Sequence, residues 1–164
     1  MTRTTRRVDL AATVVAVFAA GAWAGGLLVL GAIVAPVVFH VVPAPTSADA
    51  MTVIFRRFDR VAMGCGAALA LAEVVRGRAS GVDRRAMARM ALAAAAVACA
   101  LVMGLWISPE IARLHELGAV RGYGPLGLRL DAIHDWATRL GKLEVVALLG
   151  VIGLHVAPRS PSQG

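Results

Sequence analysis

Residues 10–39 contain no charged side chain, a stretch of thirty positions. A helix rises about 1.5 Å per residue, so about 20 residues cross the hydrocarbon core of a bilayer. Thirty can cross with tilt and still reach the headgroups. Arg3, Arg6 and Arg7 precede the run, and small residues at 20–24 give it the outline of a cleaved signal peptide. A signal's apolar region is only about 7–15 residues long, however, and this one reads as a retained span. Gly21 and Gly25 form a GxxxG pair that permits close helix contact, and Pro36 should bend or loosen the helix near its end.

Three more apolar runs follow. Residues 61–72 end at Glu73 and are preceded by an amphipathic entry, in which Asp49, Thr52, Arg56, Asp59 and Arg60 share a stripe opposite Met51, Ile54, Phe55 and Phe58. Thr46 and Ser47, after Pro43 and Pro45, mark that helix start. Residues 90–108 carry no charge and are rich in alanine, and Pro109 either ends this span or opens a short extension through Leu117. Residues 122–127 read as loop. Residues 143–156 form the last run, interrupted by Glu144 and His155, and the tail 159–164 reads as a loose polar end. With no strand alternation anywhere, the expected fold is all-α: one integral membrane four-helix bundle over 1–164, with spans at approximately 9–39, 49–76, 87–108 and 132–157.

Composition narrows the function classes. Hydrophobic residues are 59% of the chain and charged residues 16%, against about 45–50% and about 25% in soluble domains. Disorder is excluded by that balance, and two cysteines exclude a disulfide-stapled secreted fold. The net charge of +7 comes from 16 Arg and one Lys. These lie between apolar runs rather than among stacking aromatics, so nucleic acid is not an expected partner. The lipid bilayer is, and small-residue helix faces offer contacts for a homo- or hetero-oligomer. Arginines crowd residues 76–89 and the N-terminal flank, so both termini are expected in the cytoplasm of a bacterium, with the chain multi-pass in its cytoplasmic membrane. Phosphate-loop, nucleophile-elbow and zinc motifs are all missing from the sequence, which leans against an enzyme and leaves the question open.

The charge-free part of the second span is only about 18 Å long and that of the fourth is no longer, both too short for a core of about 30 Å. Charged neighbours must therefore be drawn inward. At the outer face these are His40, Arg56, Arg57, Asp59 and Arg60, with Asp131, His134, Asp135, Arg139, Lys142 and Glu144. Asp131, His134, Asp135, Thr138 and Lys142 share one stripe of the fourth helix, and Glu144 points nearly opposite. The two stripes are expected to face each other, with Arg56 or Arg60 near Asp131 or Asp135. Such a cluster serves as an interfacial anchor or as a functional pocket. Glu73 is expected to snorkel towards Arg76. No cofactor is expected by default; His40 and His134, both at the outer face, are the candidate ligands if haem or a transition metal is held.

The order of these features resembles a known family. The first span ends Ala35-Pro36-Val37-Val38-Phe39-His40, the next helix carries Phe55-Arg56-Arg57-Phe58-Asp59-Arg60, the third span ends Leu105-Trp106-Ile107-Ser108-Pro109, and the fourth opens with His134. Together they look like the transmembrane-protein-205-like family, a numbered domain of unknown function (4149), over roughly residues 8–156. That resemblance implies a four-span helical membrane protein without an assigned activity, one eukaryotic relative being linked with platinum-drug resistance. His40 stands where that family often carries Arg. A more distant likeness to copper-resistance-D-like membrane proteins, some of them haem-associated, points to the same two histidines. The functions to separate are a scaffold or complex partner, a transporter of a metal or small solute, and a haem- or metal-dependent redox protein.

Overall fold

Long apolar runs broken only by short glycine- and proline-bearing links can satisfy their backbone groups in one way, as helices. The computed structural model describes residues 2–157, and the tail 159–164 lies outside them. The described residues form four helices and no strand: α1 (Arg3–Val41), α2 (Thr46–Ser80), α3 (Arg84–Glu116) and α4 (Gly124–Val156). They run up and down in turn, each packed on the next, and α4 closes the ring on α1. Residues 9, 76, 89 and 155 thus meet at the end that holds both chain ends, and residues 40, 52, 115 and 131 sit at the opposite, outer end.

Local chemistry sets the helix limits. Thr2 caps α1 by accepting the Thr5 N–H at 3.3 Å, and Asp83 caps α3 by accepting the Ala86 N–H at 2.6 Å. Gly81, at φ 80°, turns the chain between α2 and α3. The two most apolar helices, α1 and α3, each carry a π-helical turn just ahead of a proline: Leu30–Val34 before Pro36, and Met103–Ile107 before Pro109. Proline cannot donate to the helical ladder, and its ring crowds the carbonyl four residues back. The widened turn relieves that clash, so Pro36 loosens α1 as expected and Pro109 opens an extension rather than ending α3.

The residues expected to form a loop at 122–127 differ. α4 already starts at Gly124, because Pro125 occupies its first turn, where a missing N–H does no harm. Gly127 is buried against the Val120 carbonyl, so closely that any side chain there would collide with backbone.

Size segregates sharply between inside and outside. The interior is lined by Ala12, Ala16, Ala19, Ala20, Ala24, Ala62, Ala72, Ala93, Ala96, Ala100 and Ala147, around Trp23, Leu69, Leu148 and Val151. Large apolar side chains such as Phe18, Ile33, Leu71, Leu105 and Val146 face outward, all more than half exposed. Two helices, α1 and α3, are long and apolar enough to cross a membrane, and only 6% of the most apolar 18-residue stretch of α1 is buried.

Candidate functional site

Three polar groupings lie along the bundle. At the end that holds the chain termini, all four helices contribute to one network. Arg76 of α2 donates to Asp9 of α1 at 3.1 Å, and Ser80 donates to the same carboxylate oxygen at 3.0 Å. Arg89 of α3 approaches both oxygens of Glu73 at 3.3 Å. His155 of α4 bridges the two halves, its Nδ1 lying 2.7 Å from Arg76 and its Nε2 2.8 Å from Glu73. A guanidinium only donates, so Nδ1 accepts and the Nε2–H donates to Glu73. Glu73, Arg76, Arg89 and the His155 side chain are all buried. Glu73 pairs with Arg76 as expected, at 3.9 Å, but stays buried rather than snorkelling, with Arg89 and His155 as its closer partners. Arg85 donates to the Leu154 and Ala157 carbonyls, tying α3 to the end of α4.

Nearer the middle, the buried Trp23 indole N–H donates to Glu144 at 3.2 Å. Trp23 stands beside Gly66, where α2 passes close to α1. The second oxygen of Glu144, Oε1, has no hydrogen-bond partner among the described residues. One step towards the outer end, Asp59 of α2 accepts the Ser108 hydroxyl of α3 at 2.6 Å, both groups being buried. Gly104 offers no side chain between Asp59 and α3.

The outer end splits the expected cluster in two. Arg56, Arg57, Asp59 and Arg60 line a recess of about 310 Å³ with Val53, Met63, Gly104 and Pro109. The three arginines are exposed and form no ion pair among the described residues. The stripe on α4 goes elsewhere. Asp131 accepts from Arg121 at 2.7 Å and from the Gly122 N–H at 2.9 Å, so it does not meet Arg56 or Arg60. The expected pairing between the stripes is corrected on this point: the loop ahead of α4 supplies a nearer cation. Asp135 and Lys142 are exposed, and Arg139 stacks over Trp136 at 5.5 Å. Glu110 is gripped by Arg113 at 2.9 Å and by Arg129 at 2.8 Å. The Arg121 hydrogen bond holds the Asp131 carboxyl below the usual carboxylate range, and the Arg113 bond does the same for Glu110.

His40 is exposed on the last turns of α1, while His134 is half-buried and bonded through Nδ1 to the Leu130 carbonyl at 3.0 Å. The ring that His134 approaches is that of His115, 6.3 Å away between centroids, and His115 in turn bonds Thr52 at 3.2 Å. The structure brings His134 to His115 rather than to His40. No group of three or more His, Cys, Asp or Glu side chains gathers for a metal ion among the described residues.

A family model described as a domain of unknown function (DUF4149) matches residues 18–119. The chain belongs to the DUF4149 family. The match spans most of α1 and all of α2 and α3 and stops before α4, so the DUF4149 segment holds Trp23, Asp59, Glu73, Arg76, Arg89 and Ser108, whereas Asp9, Glu144 and His155 lie outside it. No curated protein and no solved structure matches the chain. Sequence reading placed Asp59 and Glu144 in a polar cluster but missed Trp23, Ser108, Asp9, Arg89 and His155 as their partners or as a network of their own. A charge within two turns of a span end, as at Asp9, Arg76 and His155, was the available signal.

Proposed function

We propose that this DUF4149 protein is a four-span integral membrane protein, with both termini on the cytoplasmic side of a bacterial cytoplasmic membrane. The distribution of side-chain size carries the reading. A soluble bundle buries its large apolar residues and exposes charge; here alanines fill the inside and Phe18, Ile33, Leu71 and Leu105 stand outside. Lipid gives no hydrophobic drive between helices, and small residues that let backbones approach are what close packing needs instead. The packed interior suits a non-enzymatic bundle that acts as a scaffold or partner within a membrane complex. Extraction of bacterial membranes with alkaline carbonate tests the setting: the chain should stay in the pellet, and reporter fusions after 42–45 and 117–123 should report the outside. Release into the supernatant refutes it.

A second reading, transport of a small solute, draws on the outer recess. Arg56, Arg57 and Arg60 share one concavity with Asp59 and form no ion pair among the described residues, and a small anion is the class such guanidinium groups recognise. Anion flux into proteoliposomes, lost in Arg57→Ala while protein abundance holds, would support it; flux equal to empty liposomes removes it.

A further inference from the structure

The middle of the bundle holds a carboxyl group that no cation neutralises. Glu144 is 2% exposed, keeps one hydrogen bond and leaves Oε1 without a partner. The ionisable and polar groups that face it are the Trp23 indole from α1, Asp59 from α2, whose charge is felt at Glu144, and the Cys99 thiol from α3. All are neutral or acidic. An ionised carboxylate there would have a single donor among the described residues, an acidic neighbour and no counter-ion, so desolvation favours the neutral acid and makes the ionised form a short-lived, higher-energy state. A neutral carboxylic acid keeps the Trp23 bond on its carbonyl oxygen and avoids the charge. Asp59, by contrast, has an outlet: it lies on the wall of the recess and accepts from Ser108.

We propose that Glu144 is a proton-binding site at the centre of the bundle, loaded and emptied from the outer recess by way of Asp59 and Ser108. The proposal rests on the four-span reading and deepens its transport form. In the unloading step the O–H bond of Glu144 breaks, and water entering from the recess carries the proton as hydronium to the Asp59 carboxylate, where the new O–H bond forms. The negative charge passes to Glu144, whose Oε1 has no hydrogen-bond partner among the described residues. Asp59 then gives the proton to water in the recess. No oxidant, reductant or further reactant enters. Paired carboxyl groups inside spans recur in proton relays because each can hold the other's proton at little change in net charge.

Infrared spectra of the full chain in lipid nanodiscs test this. At neutral pH the wild type should show a carboxylic-acid C=O band that Glu144→Gln, an isosteric change, abolishes and Asp59→Asn retains. On transfer to D2O the band should shift promptly in the wild type and far more slowly in Asp59→Asn. A band that survives in folded Glu144→Gln, or none in the wild type, overturns the site; equal exchange in Asp59→Asn overturns the route; sodium that bleaches the band at fixed pH makes it a cation site instead. Should Glu144→Gln fail to fold, a Trp106→Phe/Trp136→Phe protein leaves Trp23 as sole indole. Its emission should then change in step with loss of the band as the pH is raised, and an emission indifferent to that loss also overturns the site. Failure of the membrane setting would show separately, in the carbonate extraction, since the band reads Glu144 whatever surrounds the bundle.

Discussion

The two ends of the bundle use similar side chains to opposite effect. At the end with both termini, Asp9, Glu73, Arg76, Arg89 and His155 come from four helices, are mostly buried and satisfy one another. At the outer end, Asp131 takes Arg121 from the loop ahead of α4 and Glu110 takes Arg113 of α3 and Arg129 of α4, while Arg56, Arg57 and Arg60 line an open recess with no ion pair among the described residues. One end fixes how the helices stand relative to each other; the other leaves charge available. A buried pair contributes little net stability compared with apolar replacements, but it penalises every arrangement that separates its members. The closed end therefore specifies the register of the four helices, and the open end is free to act on something else.

Breaking the closed end should have the largest effect. Glu73→Ala strands the buried Arg89 and leaves the His155 Nε2–H without its acceptor, while Arg76 keeps Asp9, and removal of one partner of a buried pair costs about 3–5 kcal/mol. Thermal loss of helical signal in detergent should fall steeply for this variant. Arg89→Ala should do the same, and the double variant should lose much less than the sum, because both changes disable one network. Additive losses would show that Glu73 and Arg89 act separately. Next in size is the middle. Trp23→Phe keeps an aromatic ring but removes the one donor to Glu144 among the described residues, and an abandoned buried acceptor costs about 1–3 kcal/mol.

These expectations mark what the sequence made legible. The uncharged length of residues 10–39 and 90–108 dictated helices, and Pro36 and Pro109 announced the two irregular turns, because both signals are local. The Thr46 start was local as well. The closed network was not: Asp9 and Arg76 lie 67 positions apart, and Glu73 and His155 lie 82 apart. Their meeting depends on how helices of 33 to 39 residues align end to end, which periodicity within one helix does not encode. The same limit explains Asp131. A stripe was visible on α4, but which cation reached it first depended on the loop at 117–123. Glu144 was legible as an intruder opposite the polar stripe; that this side faces the alanine core followed only once α1 and α4 were seen to pack.

At the outer end, geometry and charge separate. Gly127→Ala drives a methyl group into the Val120 carbonyl, a backbone atom that cannot rotate away, so the loop must shift at about 1–3 kcal/mol. Arg56→Ala, exposed and unpaired, should stay within about 0.5 kcal/mol of the wild type. A large loss in Arg56→Ala would mean that the recess arginines hold the fold together, and the contrast between the two ends would fail.

The smallest expected effect concerns acid. Asp131 and Glu110 are held below the usual carboxylate range by Arg121 and by Arg113, so the unfolded chain takes up these protons more readily than the folded one. Their contribution is complete at neutral pH, starts to fade as the pH falls through about 4, and is gone beneath their depressed values. Both pairs are at the surface, where water and salt screen them. Arg121→Ala should therefore unfold slightly earlier than the wild type at neutral pH and low salt, and the two melting curves should merge on acidification or in high salt. A gap that persists in strong acid would place the Arg121 contribution in packing over the loop rather than in its charge. The outer end would then be held by shape, and its difference from the closed end would rest on the unpaired recess arginines alone.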